Sequence, residues 1–190
     1  MKGQTYLGYQ ASALSTDDYG NVYLTGSFSR RRVAFGSTVL TALPAGSFVA
    51  KSDGAGTWLW AQGLRPNLAT TPASMYAARP DHRNGVYLAG YYVGDTLRLS
   101  DRTLLNTSTP DPQLRNVRAS NGYVARLHAG TGAWEWVVQT SGAGYEILGT
   151  PQLDGAGHVL VAGGFNDQPG PWGGAARSAA PLLPARPATT

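Results

Sequence analysis

The chain has 190 residues, with 15 basic and 11 acidic side chains, a net charge of +4, 42% hydrophobic content and no cysteine. That length supports one ordinary domain with a real core, and the missing cysteines exclude a disulfide framework and any thiolate metal site. The 25 glycines and 12 prolines, with charged residues at only 14%, argue for many short strands and tight connections rather than long helices.

The opening MKGQTYLGYQ carries one lysine and no apolar run, so no signal peptide is expected there. No stretch approaches the roughly 18 apolar residues of a membrane helix, so no membrane span is expected. Strands are predicted near Ala11–Thr16, Asn21–Ser27, Ser47–Ser52 and Thr57–Gln62. The basic cluster Arg30, Arg31 and Arg32 falls between the second and third of these and reads as a solvated loop tip. Without Arg177 and Arg186 of the tail, 13 basic face 11 acidic groups, too even a balance for nucleic acid.

The pattern then repeats. Asp18-Tyr-Gly-Asn-Val-Tyr-Leu-Thr-Gly26-Ser-Phe28 returns as His82-Arg-Asn-Gly-Val-Tyr-Leu-Ala-Gly90-Tyr-Tyr92 and as Asp154-Gly-Ala-Gly-His-Val-Leu-Val-Ala-Gly163-Gly-Phe165. Val22, Val86 and Val159 mark the register, 64 and then 73 residues apart. A second motif, Phe48-Val-Ala-Lys51 followed by Trp58-Leu-Trp60, returns as Tyr123-Val-Ala-Arg126 followed by Trp134-Glu-Trp136. The extra length of the second copy falls around Asn106 to Ser120, which reads as a longer surface loop. Tryptophans two apart point to one side of a regular strand. Trp58 with Trp60, and Trp134 with Trp136, are therefore expected to form slabs that dock one four-stranded blade on the next.

At these residues the chain resembles the bacterial β-propeller repeats known as SBBP repeats, whose blades read D-x-x-G-N-V-Y-V-T-G-x-F, then F-G, then D-x-F-V-A-K-x-D-x-x-G, then W-x-W-A. Asp18, Gly20, Asn21, Val22, Tyr23, Gly26, Phe28, Phe35, Gly36, Phe48 to Lys51, Asp53, Trp58, Trp60 and Ala61 carry the likeness in copy one. In copy two His82 stands for the Asp, Leu99-Ser100 for Phe-Gly, and His128 for Asp53. The resemblance covers roughly residues 11 to 165. It implies a secreted or cell-surface protein and no particular reaction, because a propeller is a scaffold whose function lives on its loops and channel.

The fold expectation is all-β, with about two and a half four-stranded antiparallel blades of an incomplete propeller. Blade one covers about residues 11–64, blade two about 73–139, and a half blade 145–167. A Pro/Ala/Arg-rich tail at 168–190 is expected to be disordered. The broken count points to a gene fragment or frameshifted end, with self-association through open blade edges.

No catalytic, cofactor or metal residues emerge. The two glutamates, Glu135 and Glu146, offer no pairing typical of glycosidases. The aspartates sit mostly in turns, and His82, His128 and His158 lack ligand spacing. A calcium loop is not written either, since no D-x-D-x-D string occurs. The string Ala125 to Trp134 is similar to the docking motif of quinoprotein propellers, but His128 breaks it and no cofactor floor accompanies it. The expected function is a non-enzymatic interaction module for a protein or glycan partner, with Ser29–Ala34 and Asn106–Ser120 as contact loops. A glycan-active or quinone-dependent enzyme and a structural spacer are the alternatives.

Overall fold

The computed structural model describes residues 9–28, 32–41, 46–67, 73–108, 110–111, 117–142 and 144–165, and every regular element among them is a β-strand. Copy one forms β1 (Tyr9–Thr16), β2 (Val22–Phe28), a hairpin of β3 (Arg32–Phe35) with β4 (Thr38–Thr41), then β5 (Gly46–Ser52) and β6 (Trp58–Pro66). The four predicted strands are β1, β2, β5 and β6, an antiparallel meander in that order. The hairpin is an addition. Its two-residue turn is Gly36-Ser37, with Gly36 at φ 58°, a left-handed conformation that favours glycine.

In copy two the first strand is broken into β7 (Ser74–Met75) and β8 (Arg79–Pro80), both paired with β9 (Gly85–Tyr92). The hairpin returns as β10 (Thr96–Leu99) and β11 (Arg102–Leu105), with Ser100 at φ 53° in the place of Gly36. A short pair, β12 (Pro110–Asp111) and β13 (Val117–Arg118), precedes β14 (Asn121–His128) and β15 (Trp134–Gln139). Copy three contributes β16 (Glu146–Leu148), β17 (Gln152–Leu153), β18 (Val159–Leu160) and β19 (Gly163–Phe165), the broken first and second strands of the repeat. The expected tail from 168 onward lies outside the described residues.

The sheets do not follow the copies. β10 pairs with β6, so the first sheet runs β1-β2-β5-β6-β10-β11, four strands from copy one completed by two from copy two. The second sheet runs β15-β14-β9-β7, and none of the described sheets closes on itself. Three apolar layers separate the parts. Phe28, Phe35, Leu40 and Phe48 lie between the β3–β4 hairpin and the outer face of sheet one. Tyr23, Val49, Trp60 and Leu64 meet Leu88, Tyr123, Leu127 and Trp134 between the two sheets. Tyr87, Val124, Val159 and Val161 lie between sheet two and copy three. Strands β5, β9 and β14 are buried on both faces over most of their length, which is why they are apolar without alternation.

The repeated glycine now has a reason. A Cβ on Gly26, Gly90 or Gly163 would strike the backbone carbonyl of Gln10, Ser74 or Ile147 in the first strand of the same copy. Tyr123 fills the remaining space in copy two, donating its hydroxyl to that Ser74 carbonyl at 3.0 Å.

The tryptophan slabs are not formed as expected. A β-bulge places Trp60 opposite Lys51 and Trp58 opposite Ser52, with Leu59 as the extra residue. Neighbouring residues on β5 point to opposite faces, so Trp58 and Trp60 do too. The same bulge at Glu135 separates Trp134, opposite Leu127, from Trp136, opposite Arg126. One ring of each pair therefore faces the following copy and the other faces backward. Trp60 packs forward, its indole N–H donating to the Ala129 carbonyl of copy two at 2.9 Å. Trp136 packs forward on Tyr87 and the layer shared with copy three. Trp134 packs backward into the layer between the sheets. Trp58 also faces backward, and its ring packs on Phe35 of the β3–β4 hairpin, 4.9 Å between ring centroids.

Candidate functional site

Each copy begins its second strand after a turn held by an aspartate. Asp17 accepts the backbone N–H of Tyr19 and Asn21, both at 3.0 Å. Asp81 accepts those of Arg83 and Gly85, and Asp154 those of Ala156 and His158. These three, not Asp18 and His82, occupy the equivalent position, so copy two keeps its turn aspartate. The signal was in the sequence, since Asp17, Asp81 and Asp154 stand 64 and 73 residues apart like the valines. Asp53 does the same for the β5–β6 turn, accepting from Ala55 and Thr57. His128, its counterpart, takes the N–H of Gly130 at 3.2 Å and of Thr131 at 3.3 Å on Nδ1. An imidazole nitrogen thus takes the place of a carboxylate oxygen as turn cap.

Asp17 also starts a buried cluster that sequence reasoning missed. Its carboxylate accepts the Tyr23 hydroxyl at 3.0 Å and two bonds from the Asn21 amide, and lies 3.7 Å from the Lys51 ammonium. Lys51 sits 5.1 Å from the centre of the Tyr23 ring and donates to the Ala129 carbonyl at 3.0 Å. Burial alone would raise the Asp17 carboxyl, but the hydrogen bonds from Asn21, Tyr23 and Tyr19 outweigh it and hold the group below its ordinary value of 3.8. Burial, then the Asp17 hydrogen bond and charge, push the Tyr23 phenol far up, so it stays a neutral donor. Copy two repeats the cluster as Asp81, Tyr87 and Arg126. The guanidinium lies 5.5 Å from the Tyr87 ring centre, 3.4 Å from Asp81, and against Glu135. The identical offsets of Lys51 to Arg126 and Phe48 to Tyr123 were the trace it left in the sequence.

Between these turns lies a cleft of about 360 Å³, bounded by Asp17, Lys51 and Ala129 at its floor and by Asp18, Tyr19, His82 and Arg83 at its rim. The rim is closed by His82 Nδ1 against Asp18 at 2.5 Å, both side chains mostly in water. Tyr19 is 90% exposed beside it. The floor charges are committed to one another, to Tyr23 and to the backbone, which leaves the rim to meet a ligand by hydrogen bonds and ring stacking. No family model matches this sequence, and no curated protein matches it. Among the described residues no three His, Asp or Glu side chains converge to hold a metal ion, and no helix is long and apolar enough to cross a membrane.

Of the two expected contact loops, residues 29–31, 109 and 112–116 lie outside the described residues. What is described of the second is tied down at its base. Asn106 donates to the Ala119 carbonyl at 2.8 Å and accepts the Ser108 N–H at 2.9 Å, while Ser108 donates to the same carbonyl at 2.9 Å.

Proposed function

We propose that the chain is a non-enzymatic β-propeller-type repeat module of the secreted or cell-surface kind, binding a protein or glycan partner at the turn-lined cleft between its first two copies. One observation carries this reading. The charged groups of the cleft floor are consumed in turn caps and in the Asp17–Tyr23–Lys51 cluster, so they serve architecture, while Tyr19, Asp18, His82 and Arg83 remain at the rim. An exposed tyrosine beside hydrogen-bonding groups suits a sugar face or a peptide side chain. The SBBP-like motifs agree with a module of this type and leave its ligand open.

The experiment is a glycan array probed with the wild-type chain and with Tyr19→Ala. Binding that falls at least tenfold in the variant, with its circular dichroism unchanged, supports the reading. Binding indifferent to Tyr19 moves the contact elsewhere and sinks it. Turnover of a polysaccharide, or of an alcohol with added quinone, that is lost in Asp17→Asn would make the module an enzyme and overturn the proposal outright.

A further inference from the structure

We propose that the cleft floor carries an acid-sensitive lock, in which the His128 ring fixes the Ala129–Gly130 peptide and, through it, Lys51 and Trp60 of copy one. The two ends of that peptide face different partners. Its N–H, from Gly130, donates to His128 Nδ1 at 3.2 Å. Its carbonyl, on Ala129, accepts the Lys51 ammonium at 3.0 Å and the Trp60 indole N–H at 2.9 Å. A peptide group is planar and rigid, so holding the N–H aims the carbonyl. The Ala129 N–H donates to the Asn84 carbonyl at 2.8 Å and anchors the residue from its other side.

A backbone N–H only donates, so Nδ1 must be bare to receive it, as it must to receive the Thr131 N–H at 3.3 Å. The ring proton then sits on Nε2, 2.9 Å from the Asn84 side-chain amide, which offers its oxygen or its nitrogen by a half-turn. Acid adds a proton to Nδ1. That proton turns both N–H groups away and has one acceptor at hand, the Thr131 hydroxyl at 3.3 Å. The Ala129–Gly130 peptide loses its hold, and so does the carbonyl that ties copy one to copy two beneath the cleft. The repeat supplies a control. Asp53 caps the equivalent turn of copy one with a carboxylate, and carboxylates stay ionised across the range in which imidazoles titrate.

The charged and titratable groups around this turn are Lys51 on β5, Asp81, His82 and Arg83 before β9, Arg126 on β14 and Glu135 on β15. Asp81 and Glu135 are taken by Arg126, Lys51 lies 3.7 Å from Asp17, and His82 is paired with Asp18. Among the described residues none of these bonds the ring, whose partners are Asn84, Gly130 and Thr131. What the lock controls, the shape of the cleft that a ligand meets, rests on the binding reading above, whereas the lock itself does not.

Hydrogen exchange of the Trp60 indole N–H tests it, in the wild type and in His128→Asp, which restores the cap found at Asp53. The two proteins should exchange alike at about pH 8, and at about pH 5 the wild type should exchange about tenfold faster. His82→Gln removes the other imidazole of the cleft and should behave as the wild type. Equal exchange in wild type and His128→Asp at both pH values overturns the lock, as does a wild-type excess that vanishes in His82→Gln. The Gly130 amide resonance of the wild type decides the case without any variant. It should shift as the His128 ring titrates, and an amide that stays still while the ring titrates overturns the proposal. Neither readout needs a ligand, so a glycan array without a hit would sink the binding reading and leave the lock standing.

Discussion

Trp58 and Trp60 are two residues apart, yet the bulge at Leu59 assigns them very different environments, and truncating each should expose the difference. Trp60 is 6% exposed, enclosed by Tyr23 at 6.1 Å between ring centroids and by the turn at Gly132. A tryptophan can bury roughly 200 Å², which at about 25 cal/mol per Å² sets an upper bound near 5 kcal/mol. Its hydrogen bond to the Ala129 carbonyl is also lost, although Lys51 still donates there and the oxygen is not orphaned. Trp60→Ala should therefore cost about 4 kcal/mol. Trp58 lies over Phe35 with a third of its surface in water, and its removal opens to solvent instead of leaving a cavity. Trp58→Ala should cost only about 1–2 kcal/mol, and Trp134→Ala, at the same repeat position but covered, about 3–4 kcal/mol. Urea unfolding of dilute protein, followed by far-ultraviolet circular dichroism, gives these differences if the slope with denaturant stays constant. For a chain of this size 4 kcal/mol is a fall in Tm of roughly 8–16 °C. Equal losses for Trp58 and Trp134 would refute the reasoning, since they would mean that the backward face of copy one is already covered within the monomer.

Ser100 holds a left-handed backbone that its counterpart Gly36 adopts freely, so Ser100→Gly should stabilise by about 1 kcal/mol in the same urea assay. A neutral or destabilising effect would remove the strain argument. The Asp17 carboxyl titrates below its unfolded value, so its contribution is present above about pH 4 and is lost as the pH falls through the folded value. Asp17→Asn should be less stable than wild type at pH 7, and the gap should narrow in acid. A gap that is constant from pH 7 to pH 2 would mean that the turn is held by something other than that charge.

Much of the architecture was legible from the repeat. Strands β1, β2, β5 and β6 fall where β-rich runs end at glycine or aspartate turns, because those turns close locally through Asp17 and Asp53. What escaped was whatever depends on distant pairing. The run to Pro66 extends β6 beyond the expected Gln62 because β10, which begins at Thr96, pairs along its far edge. The Phe35-Gly36 motif was recognised but not as a hairpin, since four-residue strands carry too little periodicity. The bulge was invisible for the same reason. Period two is the default for a strand, and only the partner strand shows that Trp58 and Trp60 oppose consecutive residues. The site was obscured by a shift of one position, Asp18 being taken for Asp17, and by treating Lys51 as part of a strand pattern instead of as a charge needing a buried partner.

The pairing of β10 with β6 sets the unit of folding apart from the unit of sequence. No boundary drawn between copy one and copy two leaves an intact sheet, because sheet one is unfinished until residues near Leu99 arrive to meet Leu64. Nearest-neighbour coupling of this kind makes adjacent repeats melt together. A chain emerging from the ribosome would hold the exposed edge of β6 open until copy two is made, and the loop closure required is longer than any within copy one, which slows the step. Duplication of such a gene can therefore lengthen the array one repeat at a time without inventing a new interface, each added hairpin sealing the sheet before it.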